Sequence, residues 1–367
     1  MLAGGGTGGH LYPGLAIADR LRSQGATCRF VGTTRGLEAR VVPQRGYPLH
    51  TIHARGLAGR PWHKALAALT CLWGVLDCVG LMHHHRPQLV IVTGGYVCAP
   101  VLLASAVRRI PVLMMEQNAL PGKVNRKLAG LAQHICLSFE ESRKYFPGDR
   151  CQVTGNPVRQ EILEASRGEG RRHFDIDSDR KVLLVTGASQ GAASLNEAVL
   201  KSLPQWRDRP WTILHLTGPH HKEMVEEKAR PLLQDCMLDY RAFGYMGEMH
   251  LAYAAADLVV GRAGATTLAE LTAKGLPSIL VAYPFAADRH QDYNAEALAS
   301  RGAAVKLDDS GVVELLADTV AGLMEDSQRL GKMAEASLAG GRPQALDKIV
   351  ELIEREFGPI GNQGPRG

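Results

Sequence analysis

The sequence is poor in aromatic side chains, which make up 5% of 367 residues, and it lacks the devices that staple small folds. Its seven cysteines stand singly at 28, 71, 78, 98, 136, 151 and 236. No CxxC pair or zinc spacing occurs, and the odd total argues against a disulfide framework and for a reducing cytosol. No apolar run reaches the ~18–20 residues of a spanning helix, and Met1 leads straight into Ala3-Gly4-Gly5-Gly6, so neither a membrane-crossing segment nor a signal peptide is expected. HExxH, EF-hand, Walker A and DxD patterns are missing near the glycine-rich loops, so no metal site is expected. What is present, 45% hydrophobic and 22% charged residues with 40 glycines in no collagen-like period, is ordinary globular composition. The length suits two domains at roughly 100–200 residues each.

Charge divides the chain. Residues 1–158 carry 18 Lys and Arg against 7 Asp and Glu, a balance of +11, and the remainder carries 24 against 30, or −6. A basic half suits an anionic partner, whether nucleic acid, phospholipid headgroups or a pyrophosphate, and composition alone does not choose among these.

Short aliphatic runs alternate with helical patterns: Cys28 to Gly32, Leu89 to Thr93, Val112 to Glu116, Ile135 to Ser138, Val182 to Thr186, Thr212 to Thr217, Leu258 to Gly261 and Ser278 to Ala282. Alternation of this kind predicts an α/β fold with parallel sheets, and the lack of polar alternation inside the runs predicts strands covered on both faces. The runs fall into two groups. The stretch Glu161 to Lys181, dense in Arg, Glu, Asp and Gly, reads as the interdomain region, entered through Thr154-Gly155-Asn156-Pro157. Apolar residues at 346, 349, 350, 352, 353 and 357 predict an amphipathic closing helix. Both halves open with an aliphatic segment, a glycine-rich turn and a helix, which predicts two nucleotide-binding-like domains facing a central cleft; the brevity of the first strand points to a start upstream of Met1.

The first turn, Gly4-Gly5-Gly6-Thr7-Gly8-Gly9, satisfies GxGxxG, a pattern whose backbone N–H groups approach a diphosphate at a helix N-terminus. A dinucleotide site also wants an acid at the end of the second strand, and Phe30-Val31-Gly32-Thr33 offers none, so NAD is not expected. His10 follows the loop, where it is placed either to accept a proton or merely to cap the helix. Gly94-Gly95-Tyr96 and Glu116-Gln117-Asn118 end two further strands; Glu116 is a second candidate base or a capping carboxylate. In the other half, Gly187-Ala188-Ser189-Gln190-Gly191-Ala192 fits a nucleotide diphosphate, Arg262 to Thr267 leads to Glu270, which suits a ribose diol, and Gln291 with Asn294 offers amides to sugar hydroxyls. Backbone amides and Arg159, rather than an obligatory metal, are expected to meet the diphosphate charge.

The most apolar helical pattern runs from Trp62 to Met82, with Trp62, Leu66, Leu69, Trp73 and Leu76 on one face. It reads either as a core helix or as a patch that dips into a bilayer surface. Its basic flanks, Arg55, Arg60, Lys64 and His83-His84-His85-Arg86, favour the membrane.

Taken together, Gly4 to His10 with Pro13, Gly94-Gly95-Tyr96, Glu116-Gln117-Asn118, Gly155 to Arg159, Ser189 to Ala192, Arg262 to Ala265 with Glu270, and His290-Gln291 with Asn294-Ala295 resemble one family, the bacterial peptidoglycan N-acetylglucosaminyltransferases that convert lipid I to lipid II. The resemblance implies GT-B architecture, with an acceptor and membrane-facing Rossmann-like domain at 1–158, a donor-binding Rossmann-like domain at 159–340 and a returning helix and tail at 341–367. It implies inverting transfer of GlcNAc from UDP-GlcNAc to the C4 hydroxyl of the muramoyl unit of lipid I, by a peripheral enzyme at the cytoplasmic face of the cell membrane. It implies no cofactor and no nucleic-acid partner. By matching position, Thr7, Gly8, Gly9, Tyr96 and Asn118 would line the acceptor rim. Arg159 and Ser189 would contact the nucleotide, Met246 the uracil, the run Ala265, Thr266, Thr267, Leu268, Ala269 and Glu270 the diphosphate and ribose, and Gln291 with Asn294 the sugar. Met115, Cys98-Ala99 and Ala188 depart from the family pattern, which has histidine, Ser-Gly and glycine there. The alternatives are another GT-B enzyme, such as a UDP-GlcNAc 2-epimerase or a glycolipid glycosyltransferase, and a non-catalytic nucleotide-sugar or NAD-binding module.

Overall fold

A computed structural model describes residues 1–55, 61–188 and 190–361, with residues 61–68 and 287 followed through the backbone alone. The chain divides into two compact units, Met1–Pro157 with Pro343–Gly367, and Val158–Arg342.

Unit 1 holds β1 (Leu2–Gly4), β2 (Phe30–Gly32), β3 (Leu49–Thr51), β4 (Val90–Gly94), β5 (Val112–Glu116), β6 (His134–Leu137) and β7 (Cys151–Val153), in the order β3-β2-β1-β4-β5-β6-β7. Unit 2 holds β8 (Lys181–Thr186), β9 (Trp211–Leu216), β10 (Asp239–Phe243), β11 (Leu258–Gly261), β12 (Ser278–Val281) and β13 (Ala304–Leu307), in the order β10-β9-β8-β11-β12-β13. Every pairing is parallel. Counted from its own first strand, the second sheet has the doubly wound order 3-2-1-4-5-6 and the first has the same order with a seventh strand beyond the sixth, the reversal falling between β1 and β4 in one unit and between β8 and β11 in the other. The loops beyond the carboxyl ends of those strand pairs are where such folds collect ligands.

Burial explains the sequence pattern. The inner strands β4, β5, β8 and β9 are buried or nearly so along their whole length, and helices cover both faces of the first sheet with separate apolar layers. One layer packs Val90, Val92, Val112 and Met114 with Cys78, Met82, Val101 and Leu102 from the helices Pro61–His85 and Cys98–Arg108. The other packs Leu2, Ile91 and Leu113 with Leu11, Leu15 and Ala18 of the helix Gly8–Ser23 and with Ile349, Val350, Leu352 and Ile353 of the closing helix Ala345–Phe357.

The stretch Glu161 to Lys181, expected as an interdomain region, is instead part of unit 2. It folds into the helices Gln160–Glu164 and Arg167–His173, which pack on the helix Met249–Ala255. Its charges have local partners. Ser166 and Glu169 form a capping box, and Arg167 donates to Asp257 at 2.6 Å. Polar density there reflects caps and ion pairs, not a linker.

Candidate active site

In unit 1 the helix Gly8–Ser23 starts inside the glycine run, with Thr7 at its N-cap in extended conformation and no side-chain cap. The N–H groups of His10 and Leu11 both bond to the Thr7 carbonyl, so those of Gly8 and Gly9 belong to the unladdered first turn, the part of a helix that attracts anions. His10 lies in the same turn. Its Nδ1 is 3.0 Å from the Thr93 carbonyl oxygen and 3.4 Å from Gln117 Oε1. A carbonyl can only accept, so Nδ1 carries the hydrogen and the ring's lone pair sits on Nε2. Gly94 makes this approach possible: its φ is +110°, and a Cβ there would fall 2.5 Å from His10 Nδ1.

The loop itself rests on a residue that no motif suggested. Glu38, fully buried, accepts hydrogen bonds from Gly6 N at 3.0 Å, Thr33 N at 3.0 Å and Thr33 Oγ1 at 2.9 Å. A Cβ on Gly36 would meet its carboxylate at 2.1 Å, so the glycine there is a packing requirement. Thr33 Oγ1 in turn lies 3.3 Å from the Tyr96 hydroxyl, joining the first glycine loop to the second. A carboxylate therefore does stand at the end of β2, where a dinucleotide fold would present one to ribose, but it is consumed by the protein's own loop.

Glu116 is corrected by its surroundings. It is buried, and its Oε1 accepts from Asn118 N and Nδ2 at 2.9 and 3.2 Å while Oε2 accepts from Gly122 N and Asn125 Nδ2 at 3.1 and 2.9 Å. Burial pushes its pKa up, and these hydrogen bonds oppose the rise. With four donors on two oxygens it ties down the segment 116–125, Asn118 included, and is no longer a candidate base. The departures at 98 and 115 are accommodated. The Cys98 thiol takes Gly94 N at 3.3 Å and reaches Gly94 O at 3.1 Å, as a hydroxyl would, and Met115 is core.

In unit 2 the helix Ala265–Ala273 begins at the carboxyl end of β11, with Gly264 at its N-cap. Leu268 N–H bonds to the Gly264 carbonyl, so only Ala265, Thr266 and Thr267 lie in the unladdered turn. Leu268 is buried, and Leu268 and Ala269 have their N–H groups within the helix ladder; both drop out as ligand donors. The Thr266 hydroxyl, by contrast, is buried with no hydrogen-bond partner among the described residues, an unmet polar group beside an anion-attracting helix end. Ala188, in the loop after β8, has φ +63°, a conformation that costs an L-residue about 1–2 kcal/mol. Ser189 lies outside the described residues. Met246 is buried just beyond β10, on the same rim.

Glu270 stands near the end of the second turn of that helix, almost wholly buried, and Arg159 Nε and Nη2 each approach its Oε1 at 3.1 Å. Burial raises the Glu270 pKa and the guanidinium works against the rise. Arg159, expected at the diphosphate, is thus the counter-ion of the carboxylate expected at the ribose. Gln291 Oε1 accepts from Tyr283 N at 3.0 Å and fixes the loop after β12. Asn294 is fully buried and donates from Nδ2 to the Ala263 carbonyl at 3.1 Å, so it props the loop from beneath. Arg262 joins the carboxyl ends of the sheet from within, donating to Asp309 at 2.6 Å, to Ser194 at 2.9 Å and to the carbonyls of Val281 and Ala282.

On the helix Pro61–His85, Leu69, Leu72, Trp73 and Leu76 are more than half exposed, Trp73 at 63%. The face opposite carries Cys78 and Met82 into the core. The side chains at 69, 72, 73 and 76 are therefore surface rather than core. Arg55, Arg86, Arg108 and Arg109 are exposed; Arg60 and the side chains of Trp62, Lys64 and Leu66 lie outside what is described. Among the described residues, no helix is long and apolar enough to cross a membrane.

Comparison with known proteins agrees with this geometry. The glycosyltransferase family 28 N-terminal domain matches residues 1–137 and the family 28 C-terminal domain residues 182–351. The UDP-N-acetylglucosamine–N-acetylmuramyl-(pentapeptide) pyrophosphoryl-undecaprenol N-acetylglucosamine transferase of Desulforudis audaxviator is 45% identical over 98% of both chains. The crystal structure of MurG from Acinetobacter baumannii superposes with a TM-score of 0.80 at 31% identity, covering 97% of this chain and 98% of that one. A UDP-GlcNAc 2-epimerase from Neisseria meningitidis shares the fold alone, with a TM-score of 0.65 at 16% identity over 97% of this chain and 99% of its own. Two parallel-sheet Rossmann-like domains of GT-B type, matched end to end by these relatives, place the chain in glycosyltransferase family 28, among the N-acetylglucosamine transferases of peptidoglycan synthesis.

Proposed function

We propose that the protein transfers GlcNAc from UDP-GlcNAc to the C4 hydroxyl of the muramoyl sugar of undecaprenyl-pyrophosphoryl-MurNAc-pentapeptide, with inversion, and that His10 is the base. The observation that carries this reading is the His10 ring, held at Nδ1 by two acceptors beside an anion-attracting helix end, in a chain of this family. His10 Nε2 takes the proton from the attacking hydroxyl as its oxygen forms a bond to the anomeric carbon, and the bond from that carbon to UDP breaks with its electrons leaving on the diphosphate. The charge that develops there meets the N–H groups of Ala265, Thr266 and Thr267 and the Thr266 hydroxyl; preorganised donors of this kind are the strongest single source of rate enhancement in such sites. Glu270 holds the ribose diol, Met246 presents backbone groups to uracil, and the amides of Thr7, Gly8 and Gly9 receive the acceptor pyrophosphate. The assay that decides among the alternatives supplies UDP-GlcNAc with and without lipid I. UDP release only in the presence of lipid I, matched by sugar on the lipid, is expected; consumption of UDP-GlcNAc without acceptor indicates an epimerase, and binding without turnover a non-catalytic module.

The exposed stripe 69–76, on a helix followed directly by the exposed Arg86 in a unit rich in basic residues, supports a peripheral position on the cytoplasmic face of an anionic membrane. The double variant Leu69→Glu, Trp73→Glu alters only side chains already more than half exposed, so it stays folded. It is expected to lose co-flotation with anionic liposomes, and retained flotation would rule this surface out.

A further inference from the structure

Strand β9 is buried along its whole length, yet near its carboxyl end it carries an imidazole, His215, with no exposed surface. Burial drives the pKa of that ring down to about 3, so it is neutral and holds one hydrogen. Its neighbours decide where the hydrogen sits. Asn196, buried on the helix Ala193–Trp206, donates from Nδ2 to the Thr217 carbonyl at 3.0 Å, which turns its Oδ1 towards His215 Nε2 at 3.1 Å. An amide oxygen only accepts, so Nε2 carries the hydrogen and Nδ1 the lone pair; the Tyr240 hydroxyl of β10, 2.8 Å away, donates to Nδ1. Each group thus gives a hydrogen to the next, from Tyr240 through His215 and Asn196 to the Thr217 carbonyl.

The carbonyl that ends this chain is a wall of the glycine loop after β8. Gly191 has φ +76°, and a Cβ there would overlap the Thr217 carbonyl; Gly218 has φ +93°, and a Cβ there would overlap the Gln190 carbonyl. The loops after β8 and β9 therefore lie backbone against backbone. Asn196 also closes the first turn of its helix, its N–H on the Ala192 carbonyl at 2.9 Å. On the other side, Thr217 N–H and Oγ1 both donate to the Phe243 carbonyl at the end of β10, at 2.9 and 3.2 Å, shortly before Met246. Burying such a polar chain costs desolvation that an apolar trio avoids, and what it supplies is a fixed backbone at the rim. We propose that His215 is a positioning residue for the sugar-nucleotide donor, orienting Asn196 so that Thr217, Gly191 and the start of the helix Ala193–Trp206 keep the shape that receives the donor's diphosphate. The proposal rests on the reading of the glycine loop after β8 as a diphosphate site. Glycine-rich backbone has many conformations to lose, and holding it in one before the ligand arrives lowers the cost of binding.

The test measures the dissociation constants of UDP and of uridine for the full chain and takes their ratio, the affinity that the diphosphate adds. His215→Met removes the hydrogen that reaches Asn196 at similar side-chain volume, and His215→Gln restores a donor at the place of Nε2. In His215→Met the ratio is expected to fall about tenfold, with uridine binding within about twofold of the wild type. In His215→Gln most of the ratio returns. The KM for UDP-GlcNAc follows the ratio in both variants, and the KM for the lipid acceptor does not. An unchanged ratio in His215→Met, equal weakening of UDP and uridine, or a glutamine variant as impaired as the methionine one overturns the proposal. Hydrogen exchange in the wild type tests the underlying reading: UDP is expected to slow the amides of Gln190 and Gly191. No slowing there removes the diphosphate reading of the loop, and the proposal with it, by an outcome that the His215 comparison cannot produce. Should His215→Met fail to accumulate, Tyr240→Phe puts the same question by removing one hydroxyl. The ring then has no donor on Nδ1 to keep its hydrogen on Nε2, so the ratio falls about threefold, and an unchanged ratio overturns the proposal.

Discussion

With His10 replaced by alanine, turnover falls about 10²–10⁴-fold, the usual worth of a positioned general base, while the KM for UDP-GlcNAc stays within about twofold. The split follows from where the residue stands. His10 belongs to unit 1, in the first turn of the helix Gly8–Ser23, and its Nδ1 is held by Thr93 and Gln117 of that unit; the groups assigned to the nucleotide, Glu270, Arg159 and Ala265 to Thr267, all belong to unit 2. Loss of the imidazole removes a proton acceptor without touching the donor site. Two acceptors on Nδ1 fix the tautomer, so substitution of Gln117 acts on the same step in a milder way, by loosening the ring while the Thr93 carbonyl still holds it. Steady-state kinetics with lipid I and labelled UDP-GlcNAc reads both constants. Wild-type turnover in His10→Ala would remove the residue from the mechanism, and a KM effect without a kcat effect would make it a binding residue.

What could be read from the sequence, and what could not, divides along the sheets. The strands legible as apolar runs, such as those at Val112 and Leu258, are interior, buried on both faces, and only that environment produces an uninterrupted aliphatic run. The strands that left no such run, Leu49–Thr51, Cys151–Val153, Asp239–Phe243 and Ala304–Leu307, are the four edges of the two sheets, and most of their residues are only partly buried. An edge strand has one neighbour and admits His50, Gln152, Arg241 or Lys306, so it resembles a loop. The site divides in a parallel way. Glycine loops and helix starts are local in sequence and were legible as such. Glu38 beneath Gly6, Gln117 on His10 and Asp309 on Arg262 are contacts across 32 to 107 residues of chain, and each is made by an ordinary residue type with no motif around it. Glu116 shows the converse error: a polar side chain in the right block invites a catalytic role, while burial and hydrogen bonds inside the protein give it a structural one.

Removal of residues 343–367 is expected to unfold unit 1 while unit 2 keeps its own transition. The closing helix Ala345–Phe357 places Ile349, Val350, Leu352 and Ile353 in the apolar layer that also contains Leu11, Leu15 and Ala18 of the helix bearing His10, and Arg20 pairs with Asp347 at the surface of that contact. Truncating one such aliphatic side chain to alanine costs about 2–5 kcal/mol, against the roughly 5–15 kcal/mol that holds a typical domain together. Ile349→Ala alone should therefore lower the melting temperature of unit 1 by several degrees, and Ile349→Ala with Ile353→Ala should consume most of its stability. Glu351→Ala, on the exposed face of the same helix, changes stability by less than about 0.5 kcal/mol. Calorimetry of the full chain separates the two transitions, and an unmoved unit 1 transition in the double variant would show that the helix is ornamental to that core. The loss extends to function through one mechanical step. The helix Gly8–Ser23 is held on one side by the sheet and on the other by this C-terminal segment, and its first turn carries Gly8, Gly9 and His10. Once the support at Leu11 and Leu15 is gone, the amides assigned to the acceptor pyrophosphate and the imidazole assigned to the proton lose their common frame, so activity should disappear in the truncated chain even where the donor still binds to unit 2.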